Sequence, residues 1–369
     1  MNKLLAIRSL TSPHHAENIV PKIINVCWTL GKRCNYDCDY CHHTVHDWIS
    51  PHMPLDKIKS FLAKVDTWAQ EQQKTIKWSI TGGEPYMHPD ILEILAAIKN
   101  TKTSDDILHI ISNGSYPIEL YQDSLTSVTN LSLSLHFYRP EKEIRKIADK
   151  IIALHQNNPD KFIHVQVMML PGKFPFIQEI IKQFNLAGVK QVFRRIKPMP
   201  KELETIHYKD TSRREFLKKT IDIVDHRSQR KEYKTKLVDG LEEVYHSEDY
   251  YSIEELTWLK DNIPEIRWQN IGVWHDDNRY TEINSDELVL KDLHSFKGWT
   301  CYVGVDNAYI DHTGDIYRGA CRAQGLIGTL DNFKGFATDP LTCEFDWCTS
   351  NHDQNVRKSA PGYEKLITS

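Results

Sequence analysis

The stretch Cys34-Asn35-Tyr36-Asp37-Cys38-Asp39-Tyr40-Cys41, set just after the apolar run Ile23–Leu30, decides how this chain is read. Three thiolates wound this closely can hold three irons of a four-iron cluster. A fourth cysteine would be needed to saturate the cube, so one iron stays open to a small-molecule chelator. Further along, Gly82-Gly83-Glu84-Pro85 follows a second strand-like run, Thr75–Thr81. A zinc site is the competing reading of Cys34, Cys38 and Cys41, but zinc sites usually show CxxC pairs with a fourth ligand.

Outward from this loop, strand-like runs alternate with helical ones, as βαβ units on a parallel sheet require. The strands fall at Ile23–Leu30, Thr75–Thr81, Ile107–Ser112, Asn130–His136, Phe162–Met169 and Lys190–Ile196. Between them, Leu55–Gln70 places Leu55, Ile58, Leu62, Val65 and Ala69 on one helical stripe. Further helices are expected over Ile91–Lys99, opened by His88-Pro89-Asp90, and over Pro140–His155 and Phe174–Leu186. Right-handed crossovers put every strand's C-terminal end on one rim, so the cysteine loop and the Gly-Gly turn meet at one mouth.

Strand parity adds an independent inference. Val26, Trp28 and Leu30 share one face against Asn25, Cys27 and Thr29; Ile76, Trp78 and Ile80 oppose Lys77, Ser79 and Thr81. Leu131, Leu133 and Leu135 oppose Ser132, Ser134 and His136, while Val165 and Val167 oppose His164, Gln166 and Met168. Helices must cover the apolar face, so the polar row points inward. A closed barrel fills its centre with branched apolar layers, so a polar centre implies a cavity for a ligand rich in hydrogen-bonding groups. The alternative is that these side chains satisfy one another through buried water.

The 369 residues can bury a large core and carry a formal net charge of -4, which offers no electrostatic reason for a nucleic-acid partner. Residues 1–22 lack a continuous apolar stretch of signal-peptide length, and no segment resembles a membrane span; a cytoplasmic protein is expected. The eight cysteines group as Cys34, Cys38 and Cys41, then Cys301, Cys321, Cys343 and Cys348, with Cys27 alone, a distribution that points to two metal centres. Pro198 to Lys297 turns charged and aromatic, with a helix around Arg213–Tyr233 and a capping box at Ser252-Ile253-Glu254-Glu255. The expected organisation is an N-terminal extension over 1–22, the strand-helix region over 23–200, a mostly helical linker over 201–297 and a small cysteine-bearing module over 298–369.

CxxxCxxC with an aromatic before the last cysteine, followed by GGEP, resembles the radical S-adenosylmethionine (SAM) superfamily. The resemblance implies a partial (βα)6 TIM-like barrel within an α/β fold. It also implies a catalytic [4Fe-4S] cluster on Cys34, Cys38 and Cys41 whose open iron binds SAM, and cleavage of SAM to a 5′-deoxyadenosyl radical that abstracts hydrogen. By the same resemblance Tyr40 gives backbone contacts and a ring near the adenine, Gly82 and Gly83 let backbone approach the methionyl amino group, and Glu84 accepts from it. Ser112 and Asn113 belong to a segment similar to the family's Thr-Asn-Gly, with serine in place of threonine. Ser134 and His136 end the strand where the family touches SAM and substrate, although a rim histidine is commonly a plain hydrogen-bonding residue. Arg194 or Arg195 could clamp a carboxylate, and parity does not decide which faces inward.

Cys301, Cys321, Cys343 and Cys348, around a hairpin of Ala308–Asp311 and Asp315–Arg318, resemble the twitch form of the SPASM domain, which implies an auxiliary [4Fe-4S] cluster in a small α+β domain. A four-cysteine zinc site fits the same residues. Cys27 is either a hydrogen-atom donor, as in some related epimerases, or a small apolar filler. The function expected is oxidation, epimerisation or rearrangement of a polar small molecule, sugar-like or aminocyclitol-like, with flavodoxin or ferredoxin as electron donor. The rivals are a maturase of a ribosomally made peptide, and an iron–sulfur or zinc protein that senses without turnover. Only 22 residues precede the first expected strand, too few for a peptide-recognition domain.

Overall fold

In the computed structural model, described for residues 4–9, 22–36, 38, 41, 46–104, 107–196, 236–238, 241–243, 251–262, 270–290, 293–348 and 350–368, the alternating runs form one large sheet with helices packed on it. After β1 (Leu4–Ser9) come β2 (Ile23–Thr29), α1 (Leu55–Glu71), β3 (Thr75–Thr81), α2 (Ile91–Lys99), β4 (His109–Ser112) and α3 (Ile118–Ser124). They continue as β5 (Asn130–His136), α4 (Glu141–Asn157), β6 (Phe162–Met169), α5 (Phe174–Leu186) and β7 (Lys190–Arg195). Three of the six expected strands keep their bounds and the others shift by one or two residues at an end. Helix α3 carried no usable periodic signal because it lasts only 7 residues.

Strands β2 through β7 are parallel and lie in sequence order, which gives an α/β fold whose sheet does not close on itself among the described residues. The apolar parity face is the core: Trp28, Ile80, Leu131, Leu133, Leu135, Val165 and Val167 are all fully buried. Helix α1 sets Ile58, Phe61, Leu62, Val65 and Ala69 against it. Trp28 meets Phe61 edge-on at 5.4 Å and Trp78 at 5.9 Å. Each such ring taken from water contributes about 2–3 kcal/mol. The helices thus commit the other face to the interior.

The described residues of 201–297 include strands beside helices. They hold a hairpin of β8 (Lys236–Val238) and β9 (Leu241–Glu243), helix α6 (Ile253–Asp261), strands β10 (Asn270–His275) and β11 (Tyr280–Asn284), and helix α7 (Ser285–Leu290). The capping box forms as expected, with Ser252 as N-cap and Glu255 reaching back. The helix expected around Arg213–Tyr233 lies outside the described residues. Period-2 runs as short as β10 and β11 are hidden when charge dominates the composition.

The C-terminal residues add β12 (Thr300–Cys301), β13 (Asn307–Ile310), β14 (Asp315–Tyr317), β15 (Leu326–Thr329), β16 (Leu341–Thr342), α8 (Asn351–Gln354) and β17 (Lys358–Ser359). They divide between two sheets. β13 pairs in parallel with β2, and β14 and β15 follow antiparallel, extending the large sheet to nine strands in the order β15-β14-β13-β2-β3-β4-β5-β6-β7. The rest form a six-stranded sheet ordered β11-β10-β1-β17-β12-β16, so the N-terminal extension contributes a central strand to the C-terminal lobe.

Candidate active site

The cysteine loop leaves β2 and is fixed before it can wander. Cys34 N–H donates to the Asp47 carbonyl at 2.9 Å, and Asp47 N–H to that of Lys32 at 2.9 Å. The Lys32 ammonium lies 3.4 Å from the Asp47 carboxylate, both side chains 1% exposed. Asp47 also accepts from the Ile49 and Ser50 amides and the Ser50 hydroxyl. Cys34 and Cys38 are buried and Cys41 half-buried, with Cys41 N–H donating to the Cys38 carbonyl at 3.0 Å. Tyr40 lies outside the described residues.

The Gly-Gly turn is needed by the protein's own backbone. A Cβ on Gly83 would stand 2.2 Å from the Lys32 carbonyl oxygen, and one on Gly82, whose φ is +152°, would stand 2.5 Å from that of Gly31. Gly83 N–H donates to Gly31 and Glu84 N–H to Arg33, so the turn and the cysteine loop are laced together. Glu84 is likewise engaged within the fold: Oε1 accepts from the Tyr86 amide and the Ser112 hydroxyl, and Oε2 from the Asn113 amide at 2.7 Å. Burial pushes its carboxyl up to about 7 against the pull of those donors. At Gly82 and Gly83 the backbone comes close to the cysteine loop.

Asn113 joins the third element of the mouth. Its amide nitrogen donates to Asn35 at 2.8 Å and points at the Cys34 sulfur at 3.8 Å, while the Tyr36 amide donates to that sulfur at 3.4 Å. Ser112 shares its hydroxyl with Tyr121. On the far side, His136 Nδ1 lies 3.5 Å from the Cys38 sulfur, the Tyr138 hydroxyl hydrogen-bonds to Cys38, and burial pulls His136 down to about 4. Tyr36 is braced by its hydrogen bond to Glu143 and by the Arg139 guanidinium 4.9 Å above its ring. Three soft sulfur donors, two of them buried and met by hydrogen-bonding groups, fit an iron–sulfur cluster.

Inside the sheet the polar row is partly self-satisfied. The Arg194 guanidinium donates to Gln166 at 3.1 Å, Gln166 donates to Ser132 at 2.8 Å, and Ser132 meets His164 at 2.7 Å. His164 stacks on His109 at 6.0 Å, and His109 hydrogen-bonds Ser79 at 2.9 Å. Burial lowers His109 to about 3 and His164 well below its ordinary value, so both are neutral at physiological pH. His109 opens β4, and Ser132 and His164 fall in the first halves of their strands, so this cluster forms a floor. Ser134, His136, Thr81, Met168 and Arg194 lie nearer the rim, where Arg194 shares the register level of inward-facing Met168. Arg195 shares that of buried Met169 and lies 5.8 Å from the Tyr251 ring, so Arg194 is the inward one.

Cys27 lies at the level of Ser79 and opposite Tyr309 of β13, with burial pushing its thiol up to about 12. Tyr309, which bonds Thr29 at 3.0 Å, was not singled out from the sequence; applying parity to β13 would have found it. A surface cleft lined by Lys22, Trp68, Lys74 and Thr338 opens at the opposite end of the strands and takes no part.

The four late cysteines gather in the C-terminal lobe. Cys301, on β12, is buried, and Cys321 and Cys343 pack around the same apolar cluster. Cys343 N–H bonds the Trp299 carbonyl, Cys348 N–H that of His294, and Cys321 N–H the Asp353 carboxylate at 2.7 Å. Burial raises the thiols of Cys301, Cys321 and Cys348, the last to about 12. Among the described residues, no three His, Cys, Asp or Glu side chains close on a point as a single metal ion needs. No described helix is long and apolar enough to cross a membrane.

The family model described as Radical SAM superfamily matches residues 28–202. The chain is similar to a protein named probable GTP 3′,8-cyclase from Methanocaldococcus jannaschii, 27% identical over 228 residues, which are 58% of this chain and 72% of that protein. It is also similar to an S-adenosylmethionine-dependent nucleotide dehydratase from Psychrobacter lutiphocae, 23% identical over 176 residues, 42% of this chain and 59% of that protein. Among solved structures, BtrN in complex with AdoMet and 2-DOIA aligns with a TM-score of 0.37 at 12% identity, over 85% of this chain and 80% of that one. anSMEcpe with bound AdoMet aligns with a TM-score of 0.45 at 14% identity, over 84% and 75%.

Proposed function

Because this chain belongs to the radical SAM superfamily, we propose that Cys34, Cys38 and Cys41 hold its [4Fe-4S] cluster at the sheet's mouth and that the substrate is a polar, anionic small molecule seated between that mouth and the histidine floor. A three-cysteine cluster with SAM on its open iron supplies, on one-electron reduction, a 5′-deoxyadenosyl radical able to abstract hydrogen. The chain's part is to hold, orient and dry the site. Glu84 and Asn113 bind the Gly-Gly turn, the end of β4 and the cysteine loop into one unit. Arg194 offers the planar fork that suits a carboxylate or phosphate, and Lys77 adds a second cation on the same interior face. Ser134 and His136 stand at the rim for neutral polar groups.

One observation carries the substrate reading: the inward face sets Arg194 near the rim above neutral His109 and His164, with Lys77 one inward position beyond that floor. A sugar-bearing molecule with an anionic group satisfies that surface. Among such molecules nucleotides come first, because the names of two relatives include GTP cyclase and nucleotide dehydratase. Free sugars and aminocyclitols come second. The test is to incubate the reduced, reconstituted protein and SAM with ribose-deuterated nucleoside triphosphates and, separately, with deuterated sugars and aminocyclitols. Deuterium should enter 5′-deoxyadenosine from the triphosphates. Transfer only from uncharged compounds would remove the anionic reading.

We further propose that Cys301, Cys321, Cys343 and Cys348 hold an auxiliary iron–sulfur cluster. Buried Cys301 and half-buried Cys321, Cys343 and Cys348 lie within electrostatic reach of one another, and four soft sulfur donors suit an iron–sulfur cluster. Fully ligated by protein, such a cluster serves electron transfer, and oxidation of the substrate radical would give it a task.

A further inference from the structure

Lys358 stands where a lysine is least expected. It is 1% exposed, in the short strand β17 at the centre of the six-stranded sheet. Directly across the antiparallel pair with β12 its partner is Cys301, so the two side chains leave the sheet on the same face as neighbours. Its ammonium donates to the main-chain carbonyls of Asp353, Gln354 and Val356 and lies 5.1 Å from the Phe296 ring. Those bonds use all three donors on neutral acceptors and leave the charge itself uncancelled by direct contact. The Asp353 carboxylate is turned elsewhere, accepting from the Asn307 amide and the Ala320 and Cys321 main-chain N–H groups.

A buried ammonium that only carbonyls solvate is costly unless opposite charge stands close. The ionisable groups nearest its charge are Cys348, Cys301, Asp353 and Cys321. Three of those four neighbours are cysteines assigned above to the second centre. In a cluster bound by four thiolates, reduction adds negative charge to an already anionic group, and fixed charge nearby is one of the controls on its potential. We infer that Lys358 is the counter-charge of the four-cysteine centre, favouring its reduced form and raising its reduction potential so that it can accept an electron. This rests on the auxiliary-cluster reading. It makes Lys358 a positioning residue for charge, not a ligand.

The experiment uses the full-length chain carrying Cys34→Ala, Cys38→Ala and Cys41→Ala, so that only the second centre is observed, reconstituted anaerobically. Its midpoint potential is read by an EPR-monitored redox titration, beside K358Q, which keeps donors without charge, and K358R, which keeps the charge. K358Q should titrate at a more negative potential with undiminished iron, and K358R close to the parent. Equal potentials in parent and K358Q overturn the inference. If K358Q fails to hold iron, a K358R protein that holds the cluster near the parent potential supports the charge role, and one that also fails assigns Lys358 a purely structural part. A triple variant without iron, beside an unaltered chain that binds only about four irons, removes the auxiliary cluster itself, a distinct outcome.

Discussion

At Gly83 an added methyl would press on two backbone carbonyl oxygens, 2.2 Å from that of Lys32 and 2.3 Å from that of Arg33. Backbone cannot swing aside as a side chain does, so G83A is expected to cost about 1–3 kcal/mol and to displace the cysteine loop. Iron bound at the first centre should fall while the second centre keeps its own; full iron and an unmoved melting temperature would refute the lacing of turn to loop. The histidine floor gives a pH-dependent counterpart. Burial holds His109 near about 3 in the folded chain, against 6.5 for an ordinary histidine. Between those values the unfolded chain binds a proton that the folded chain refuses, so stability is lost as pH falls through that window. H109Q, which still meets Ser79, should flatten the acid limb of a plot of urea midpoint against pH. An acid limb as steep as the parent's would show that His109 is not excluded from protonation.

Among the elements, β13 is the one whose place matters most, because it seals the β2 edge of the parallel sheet and carries Tyr309 into the interior. Its entry is fixed by Asp306, whose carbonyl accepts from Asn25 N–H at 3.0 Å and whose carboxylate takes a fork from Arg357, 2.7 Å at its shortest. Both partners are mostly buried. Removing the guanidinium with R357Q should cost about 2 kcal/mol, since it strands a carboxylate that charged hydrogen bonds had satisfied. Hydrogen exchange at residues 307–310 should accelerate more than at β5. Uniform acceleration across the sheet would show that the pair supports the whole molecule and not this junction.

For the whole molecule, two lobes share one chain: Cys34, Cys38 and Cys41 follow β2 of the large sheet, Cys301 and Cys343 lie on or beside β12 and β16 of the six-stranded one, and Cys321 reaches the second group from the β14–β15 connection. Centres built so separately should load separately. Reconstituted parent protein is expected to bind about eight irons, and the variant with Cys34, Cys38 and Cys41 changed to alanine about four, with no 5′-deoxyadenosine formed from SAM. About four irons in the parent, with zinc retained, would refute the second cluster. Loss of all iron in the triple variant would show that the lobes depend on one another.

The sequence alone determined the repeated βα units, the strands that kept their bounds, the apolar and polar faces, and the spacing of Cys34, Cys38 and Cys41. These rest on local periodicity and on neighbours a few residues apart, which a linear text records directly. Only the tertiary structure decided that Arg194 and not Arg195 faces inward, that the glycines accommodate the cysteine loop, that β1 and β17 lie side by side, and that Lys358 stands across from Cys301. Each of those is a pairing between residues distant along the chain, set by sheet register and by which surfaces could bury one another. Short strands carry too little pattern to announce such partners in advance.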